Sequence, residues 1–414
     1  MRRTISLSIL AVLVLTAACL GQLKSNDLVA ICGDSITEQK LYSLFMEEYL
    51  TMCLPSPVKV VQFGWSGETS WGFLARMEND VLTFRPTVAT TCYGMNDGGY
   101  TAPDPARQQQ YRQATESIVK TFKTRAVKTI VVGSPGAVDL TTFRRADPNV
   151  YNQTLAQLRD IAKAVADQEG VLFADVHWTM RNAMAKAKAK YGFDYPVAGR
   201  DGFHPGPNGH LVMAYAFLKA LGCDGHIGTI TLDMRTGKAK ATSGHRIIKS
   251  DKRAITVESR RYPFCFFGEP NNPNSTSGII ECIDFNQDLN RLMLVIENCP
   301  QTGVRITWGK ETKAFPASRC QEGINLAAEF LDNPFREPFK KVEELLKKKQ
   351  AFETVAVKQL LHSLPQWSSN LPEAKAALEQ LKEHIIKKDQ ALRNAALSEM
   401  RPVRHTIYIE PEIQ

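Results

Sequence analysis

Short apolar segments alternate with longer amphipathic segments along the first half of the chain, from residue 27 to about residue 222. The short segments are rich in β-branched residues, which favour strands, and the longer ones repeat apolar positions at helical spacing. In order they read LVAIC, LYSLFMEEYL, VKVVQFG, SWGFLARMEND, TVATTCYG, YRQATESIVKTF, KTIVVGSP, LAQLRDIAKAVADQ and VLFADVHW. This alternation predicts a parallel sheet covered by helices on both faces.

The pattern changes after Gly222 to β-rich runs separated by Gly, Asn and Pro, such as GTITLDMRTG, AITVESRRYPFCFFG, RLMLVIENC and GVRITWG. They predict an antiparallel unit resembling a small β-sandwich over residues 223–333. From Pro334 to about Met400 apolar positions return to helical spacing and predict two helices packed on a neighbour. The last residues, HTIYIEPEIQ, predict one edge strand, so that residues 334–414 form a helical segment with a terminal strand.

The N-terminus differs from both halves. Arg2 and Arg3 precede an apolar run from Ile5 to Leu15 that ends in TAAC, which predicts a secretory signal peptide over residues 1–21. The run is too short to span a membrane. We therefore expect an exported protein whose α/β domain covers residues 22–222. In an alternative, a lipid attached to Cys19 would hold the exported protein on a membrane.

Charge and cysteine content narrow the class of protein. The net charge of +8 over 414 residues comes largely from late lysines that interleave with glutamates, as on solvated helix faces, and no recognition motif accompanies them. Nucleic-acid binding is therefore not expected. Cys32 and Cys92 lie in apolar strands and are expected in the core. Four later cysteines could form one or two disulfides in an exported chain: Cys265, Cys282, Cys299 and Cys320. The sequence does not choose among the three possible pairings.

Candidate chemistry follows the predicted strands, where ligands bind in parallel α/β sheets. Ser35 follows the first strand in GDSIT, and a serine there is alternatively a plain helix cap. Gly67 stands in GWSGETS, Asn96 in YGMND, and Asp201 and His204 in DGFHPGPNGH.

These residue types together supply what acyl transfer by serine requires. A base must take the hydroxyl proton, a carboxylate must orient the base, and donors must face the developing oxyanion. His204 and Asp201 are the candidate base and its partner. The backbone N–H groups of Ser35 and Gly67 and the side-chain amide of Asn96 are candidate donors.

In these blocks the sequence resembles the SGNH, or GDSL-type, hydrolases, whose motifs carry Ser, Gly, Asn and His in this order. Over about residues 27–222 the resemblance implies a flavodoxin-like three-layer α/β/α fold. It also implies a catalytic triad of Ser35, His204 and Asp201, with an oxyanion hole from Ser35, Gly67 and Asn96. The second block departs by carrying Phe63 where asparagine is frequent, which removes a supporting hydrogen bond but no catalytic group.

The substrate is less sharply indicated. Aromatic side chains near the second and third blocks could stack on sugar rings or could pack in the core and at the rim of the cleft. The candidate substrate-binding residues are Trp65, Tyr93 and Asp97, and Trp71 and Tyr100 lie near them in the sequence. The resemblance, with the extra β unit, implies an exported carbohydrate esterase that removes O-acetyl groups from a small-molecule or polysaccharide substrate. A lysophospholipase or thioesterase, and a non-catalytic glycan-binding scaffold, are the alternatives.

Neither a cofactor nor a metal is required by this chemistry. Three further histidines are expected to be structural: His177, His226 and His245.

Overall fold

The structure is a computed structural model that describes residues 23–412. The predicted signal peptide, including Cys19, lies outside the described residues. Across the described part of the chain, no helix has both the length and the apolar character needed to cross a membrane.

The first half of the chain forms a five-stranded parallel sheet with the order β2-β1-β3-β4-β5. The strands are β1 (Leu28–Gly33), β2 (Lys59–Gly64), β3 (Val88–Cys92), β4 (Thr129–Gly133) and β5 (Leu172–Ala174). The helices are α1 (Ser35–Glu38), α2 (Tyr42–Met52), α3 (Ser70–Asp80), α4 (Pro105–Thr124), α5 (Pro148–Glu169), α6 (Val176–Tyr191) and α7 (Pro207–Ala220). The predicted flavodoxin-like order is confirmed, and α6 and α7 add two helices to the predicted set.

Alternate residues of β1 point into two separate apolar layers, because successive side chains of a strand face opposite sides of the sheet. Val29 and Ile31 pack in the layer that contains α2 and α7. Ala30 and Cys32 pack in the layer that contains α3 and α4. The expected burial of Cys32 and Cys92 is confirmed.

Two further sheets follow, with the orders β13-β10-β6-β7 and β12-β11-β14-β9-β8. Their strands are β6 (His226–Asp233), β7 (Lys238–Ala241), β8 (His245–Ser250), β9 (Ala254–Ser259), β10 (Arg291–Glu297), β11 (Val304–Trp308), β12 (Glu311–Phe315), β13 (Ile324–Asn325) and β14 (Val403–Pro411). The helices of this half are α8 (Phe285–Leu289), α9 (Ala317–Glu322), α10 (Leu326–Glu329), α11 (Arg336–Val355), α12 (Leu364–Asn370) and α13 (Lys375–Glu399). The two main predicted C-terminal helices are α11 and α13.

Two details of the predicted β unit are wrong. Strands β6 and β10 pair in parallel, because the chain between them leaves for the other sheet and returns in the same direction. Strand β14 is not at an edge: it lies between β9 and β11 and pairs antiparallel with both. Its inward positions are apolar or aromatic and its two edges are both hydrogen-bonded, which makes it a central strand.

The predicted disulfides are also absent from the described residues, whose eight cysteines are all free thiols. Cys265, Cys282 and Cys320 are buried, and Cys299 is partly exposed. The side chains of Cys299 and Cys320 contact each other as thiols.

Helix α11 covers the outer edge of the parallel sheet. The ammonium of Lys349 donates to the backbone carbonyl of Val60 at 2.7 Å, and a Glu353 carboxylate oxygen accepts the backbone N–H of Gln62 at 3.1 Å. Both backbone groups belong to β2, the edge strand. Side chains of the C-terminal segment therefore satisfy an edge that would otherwise be open to pairing with another strand.

Candidate active site

Strand β1 delivers Ser35 to the carboxyl edge of the parallel sheet. The strand ends at Gly33, where a Cβ would lie 2.0 Å from the Thr37 hydroxyl, so no larger residue fits. Asp34 caps α1, because its carboxylate accepts the backbone N–H of Ile36 at 2.9 Å. Burial raises the pKa of Asp34 to about 7. The side chain of Ser35 is therefore not needed as the cap.

The Ser35 hydroxyl is hydrogen-bonded to the imidazole of His204, 169 positions later, at 2.8 Å between Oγ and Nε2. The other ring nitrogen of His204 lies 2.7 Å from a carboxylate oxygen of Asp201. Burial acts to raise the pKa of Asp201, but hydrogen bonds donated by His204 and Phe203 outweigh it and lower that pKa. The Asp201 carboxylate thus remains ionised beside the ring.

Gly67 and Asn96 line the same cleft as Ser35 and His204, a cavity of about 490 Å³. Gly67 has φ = +76°, a left-handed backbone that favours glycine. The Asn96 side-chain amide donates to the backbone carbonyl of Glu68 at 3.0 Å, while its oxygen accepts the Tyr100 hydroxyl at 2.9 Å. One amide hydrogen of Asn96 is left to bind a ligand.

Residues 31–212 match the model of the GDSL-like Lipase/Acylhydrolase family. The chain therefore carries a GDSL-type hydrolase domain over these residues, which are less than half of its length. It is accordingly an enzyme that hydrolyses ester bonds.

Three other similar proteins cover different shares of the chain. An acetylxylan esterase of Geobacillus stearothermophilus is 26% identical over 171 residues, which are 40% of this chain and 73% of that protein. The structure of a gut microbial diltiazem-metabolizing enzyme has a TM-score of 0.73 at 21% identity and covers 95% of this chain and 99% of its own. That likeness shows a shared fold over nearly the full chain. A putative GDSL-like lipase from Parabacteroides merdae has a TM-score of 0.41 at 21% identity and covers 49% of this chain and 98% of its own.

Two of the residues predicted to bind substrate are buried in the GDSL-type domain. Tyr93 is 3% exposed and its hydroxyl donates to the Glu68 carboxylate at 2.8 Å. Asp97 is 8% exposed and accepts backbone N–H groups from Ser70 and Gly94. Both predictions are wrong, because these polar groups are used up in fixing the loops that carry Gly67 and Asn96.

Trp65 lies beside the cleft of the GDSL-type domain rather than in it. It lines a neighbouring depression that shares Ser66 and Gly67 with the cleft. Its ring is 4.7 Å from the His362 ring and 4.9 Å from the Arg76 guanidinium carbon, centroid distances that indicate packing. The prediction that Trp65 stacks on a substrate is therefore not supported by its surroundings.

Sequence reasoning missed several residues that line the cleft of the GDSL-type domain. Lys40 follows the first motif and Phe203 directly precedes His204, so proximity along the chain was an available signal. Arg145 comes from the loop between β4 and α5, and no motif in the sequence marks it. Tyr100, noted as a neighbour of the third block, does line the cleft.

The histidines expected to be structural lie outside the cleft lining. His177 is fully buried at the start of α6 and its ring is 3.0 Å from the Gly136 carbonyl. Burial lowers the pKa of His177, so the ring is neutral. His245 is buried between the Ser259 hydroxyl and the Ile227 carbonyl, and His226 contacts Thr229.

Proposed function

We propose that the protein is an exported serine esterase that removes O-acetyl groups from carbohydrates through an acyl-enzyme. The observation that carries the chemistry is the continuous chain of hydrogen bonds from Ser35 through His204 to Asp201. In this proposal the three residues are nucleophile, general base and orienting carboxylate.

The reaction proceeds in two halves. Ser35 Oγ attacks the ester carbonyl while its proton moves to Nε2 of His204, and the same proton then goes to the departing alcohol. A water molecule then attacks the acyl-enzyme and gives a proton to His204, which passes it to Ser35 Oγ as the bond to the acyl group breaks and the acid leaves. Asp201 holds the Nδ1–H of the ring and stabilises its protonated form in both halves.

The oxyanion is stabilised by three donors in this proposal: the backbone N–H groups of Ser35 and Gly67 and the free amide hydrogen of Asn96. Because Tyr100 and the Glu68 carbonyl fix the Asn96 amide on both sides, the donor is oriented before substrate binds. Preorganisation of this kind avoids the cost of reorienting dipoles during the reaction.

The cleft lining supports a small acyl group on a polar alcohol. Among the described residues that line the cleft, none is aliphatic, and the aromatic ones are Tyr100 and Phe203. A lysophospholipase or acyl-thioesterase needs an apolar surface for its acyl chain. The acetylxylan esterase among the relatives also favours the carbohydrate reading, and the ester-hydrolase assignment disfavours a non-catalytic scaffold.

Export is proposed from the sequence of residues 1–21, with its two arginines, its apolar run and its small residues. The alternative is that the exported protein stays on a membrane surface. In that case a lipid would attach to Cys19, which follows the small residues.

Release of acetate from a panel of acetylated polysaccharides, compared with hydrolysis of lysophospholipids and acyl-thioesters, tests the substrate class. We expect acetate release to be the fastest of the three reactions. A preference for long acyl chains would overturn the carbohydrate assignment.

Substitution of the nucleophile tests the mechanism. We expect Ser35→Ala to lower kcat by ~10⁴-fold or more, because loss of one triad member removes the acyl-enzyme route. The matched control is Ser398→Ala in α13, where the hydroxyl contacts only its own helix. Turnover of 4-nitrophenyl acetate by folded Ser35→Ala at the wild-type rate would refute the assignment.

A further inference from the structure

Two carboxylates that border the cleft are already hydrogen-bonded within the protein. Both oxygens of Glu38 are engaged, one by the Lys358 ammonium at 2.8 Å and the other by the backbone N–H of Ser66. The Asp201 carboxylate is engaged by His204 and by backbone N–H groups. Neither carboxylate forms a salt bridge with Arg145 or Lys40, the other two charged side chains of the cleft lining.

Arg145 differs from these groups, because no carboxylate of the described chain lies within salt-bridge distance of it. Its guanidinium carbon is 4.7 Å from the centroid of the Tyr100 ring and 4.5 Å from that of Phe203. The Phe203 ring in turn packs on the His204 ring at 4.1 Å between centroids. Two aromatic faces thus hold a charged guanidinium beside the triad, with its N–H edge available to a ligand.

Lys40 supplies a second cation to the same cleft. Its ammonium donates to the backbone carbonyl of Glu38 at 2.7 Å and, like Arg145, has no carboxylate of the described residues within salt-bridge distance. Its backbone is left-handed, with φ = +57°. The turn after α1 therefore directs this lysine back toward the cleft at the cost of an unfavourable backbone conformation.

We propose that the cleft selects esters whose alcohol portion carries an anionic group, with Arg145 and Lys40 as the side chains that bind the anion. A planar guanidinium binds carboxylate or sulfate oxygens through paired hydrogen bonds, and a nearby ammonium adds a point charge. The inference rests on the proposed function, since it describes the alcohol from which the acetyl group is removed. It makes the preferred substrates acetylated acidic glycans rather than neutral ones.

A matched pair of substrates tests the proposal on the full chain. O-Acetylated 4-nitrophenyl β-D-glucuronide and the equally acetylated β-D-glucoside differ in a carboxylate against a hydroxymethyl group. We expect kcat/KM for acetate release to be about tenfold higher for the glucuronide at low salt, and the ratio to fall as salt rises. A third arm, the acetylated glucoside 6-sulfate, separates the two kinds of anion: preference for either anionic substrate supports the inference and identifies its chemistry.

Variants assign the preference to the two cations. Arg145→Gln and Lys40→Gln, each checked for folding by circular dichroism, are both expected to bring the glucuronide-to-glucoside ratio to within about twofold of unity. The matched control is Arg181→Gln, because Arg181 also rests on an aromatic ring, that of Trp178, but lies outside the cleft. We expect this control to keep the wild-type ratio.

The outcomes separate this inference from the proposed function. A wild-type ratio near unity, with Ser35-dependent acetate release from both glycosides, would overturn the anion selectivity and leave the carbohydrate esterase standing. A high ratio that survives both cleft substitutions would overturn the roles of Arg145 and Lys40. No acetate release from any of the glycosides would reject the proposed function and the selectivity with it.

Discussion

Two neighbouring residues divide the work at the end of β1. Asp34 supplies the helix cap through its side chain, and Ser35 directs its hydroxyl to His204. From the sequence, Ser35 had two readings, because serine also caps helices well. The adjacent aspartate resolves them: once Asp34 accepts the Ile36 N–H, the serine hydroxyl is free for other use.

The burial of Asp34 predicts a dependence of stability on pH. Its pKa is raised from 3.8 to about 7 in the folded chain, so folding favours the protonated form. The stabilisation is complete below pH 3.8 and is lost as pH rises toward 7. Asp34→Asn keeps an oxygen for the cap but cannot ionise.

We therefore expect the free energy of unfolding of the wild type to fall relative to that of Asp34→Asn over this pH range. The relative fall should be on the order of 4 kcal/mol. Urea denaturation of both proteins at several pH values measures it. Parallel stability curves for the two proteins would contradict the raised pKa.

The four blocks of the site were readable from sequence because each follows a strand whose apolar, β-branched pattern is plain. Tyr93 and Asp97 were misassigned because sequence position near a motif does not distinguish the cleft side of a loop from its buried side. Arg145 was missed for the opposite reason: it comes from a loop without a motif and reaches the cleft only through packing on Tyr100 and Phe203.

At the scale of elements, the C-terminal segment contacts the loop that carries Gly67. The wide helical turn Ala356–Leu360 follows α11 and presents Lys358 to Glu38 and to the Trp65 ring, at 4.8 Å from the ring centroid. Glu38 also accepts the N–H of Ser66, which directly precedes Gly67. The helical turn Ala356–Leu360 thus helps to fix the loop that carries Gly67.

Removing this contact should affect the rate more than substrate binding. We expect Lys358→Met to lower kcat about tenfold, because a displaced Gly67 donor stabilises the oxyanion less, while KM changes less than twofold. Steady-state kinetics with 4-nitrophenyl acetate measure both constants. Lys358→Arg, which keeps the charge, should recover most of the rate.

The control for this prediction is Lys382→Met in α13. Lys382 is similarly exposed, at 24% against 26% for Lys358, and also pairs with a glutamate, but on the surface of its own helix. A rise in KM at constant kcat in Lys358→Met, or an equal loss of rate in Lys382→Met, would count against a role for Lys358 in positioning the loop.

At the scale of the whole molecule, one apolar cluster continues from the parallel sheet into both later sheets. It includes Val29 of β1, Leu292 of β10 and Ile407 of β14, all fully buried. The sequence predicted the change from alternating strands and helices to mainly strands at Gly222, because this change shows in the local pattern of apolar residues. It did not predict the central place of β14, because the pairing of a strand with partners about 100 and 150 residues away depends on long-range packing rather than on local pattern.

Continuity of the core predicts that a cavity in β14 destabilises the enzyme as a unit. We expect Ile407→Ala to lower the free energy of unfolding by about 3 kcal/mol. Thermal loss of esterase activity and the change in tryptophan fluorescence should shift down together. The control is Tyr408→Ala, since Tyr408 is 56% exposed on the other face of the strand, and its effect should stay within about 0.5 kcal/mol. If Ile407→Ala lost its esterase activity at the same temperature as the wild type, the two halves of the chain would unfold independently.

The central place of β14 also bears on how the chain is made. Synthesis runs from the N-terminus, so β9 and β11 leave the ribosome with their facing edges open, and their shared neighbour β14 emerges only after helices α11 to α13 have been made. Until then each edge is a template for the wrong partner. Nascent chains of this enzyme should therefore depend on chaperones until β14 has emerged, and a ribosome that stalls before residue 403 should leave a product that is degraded.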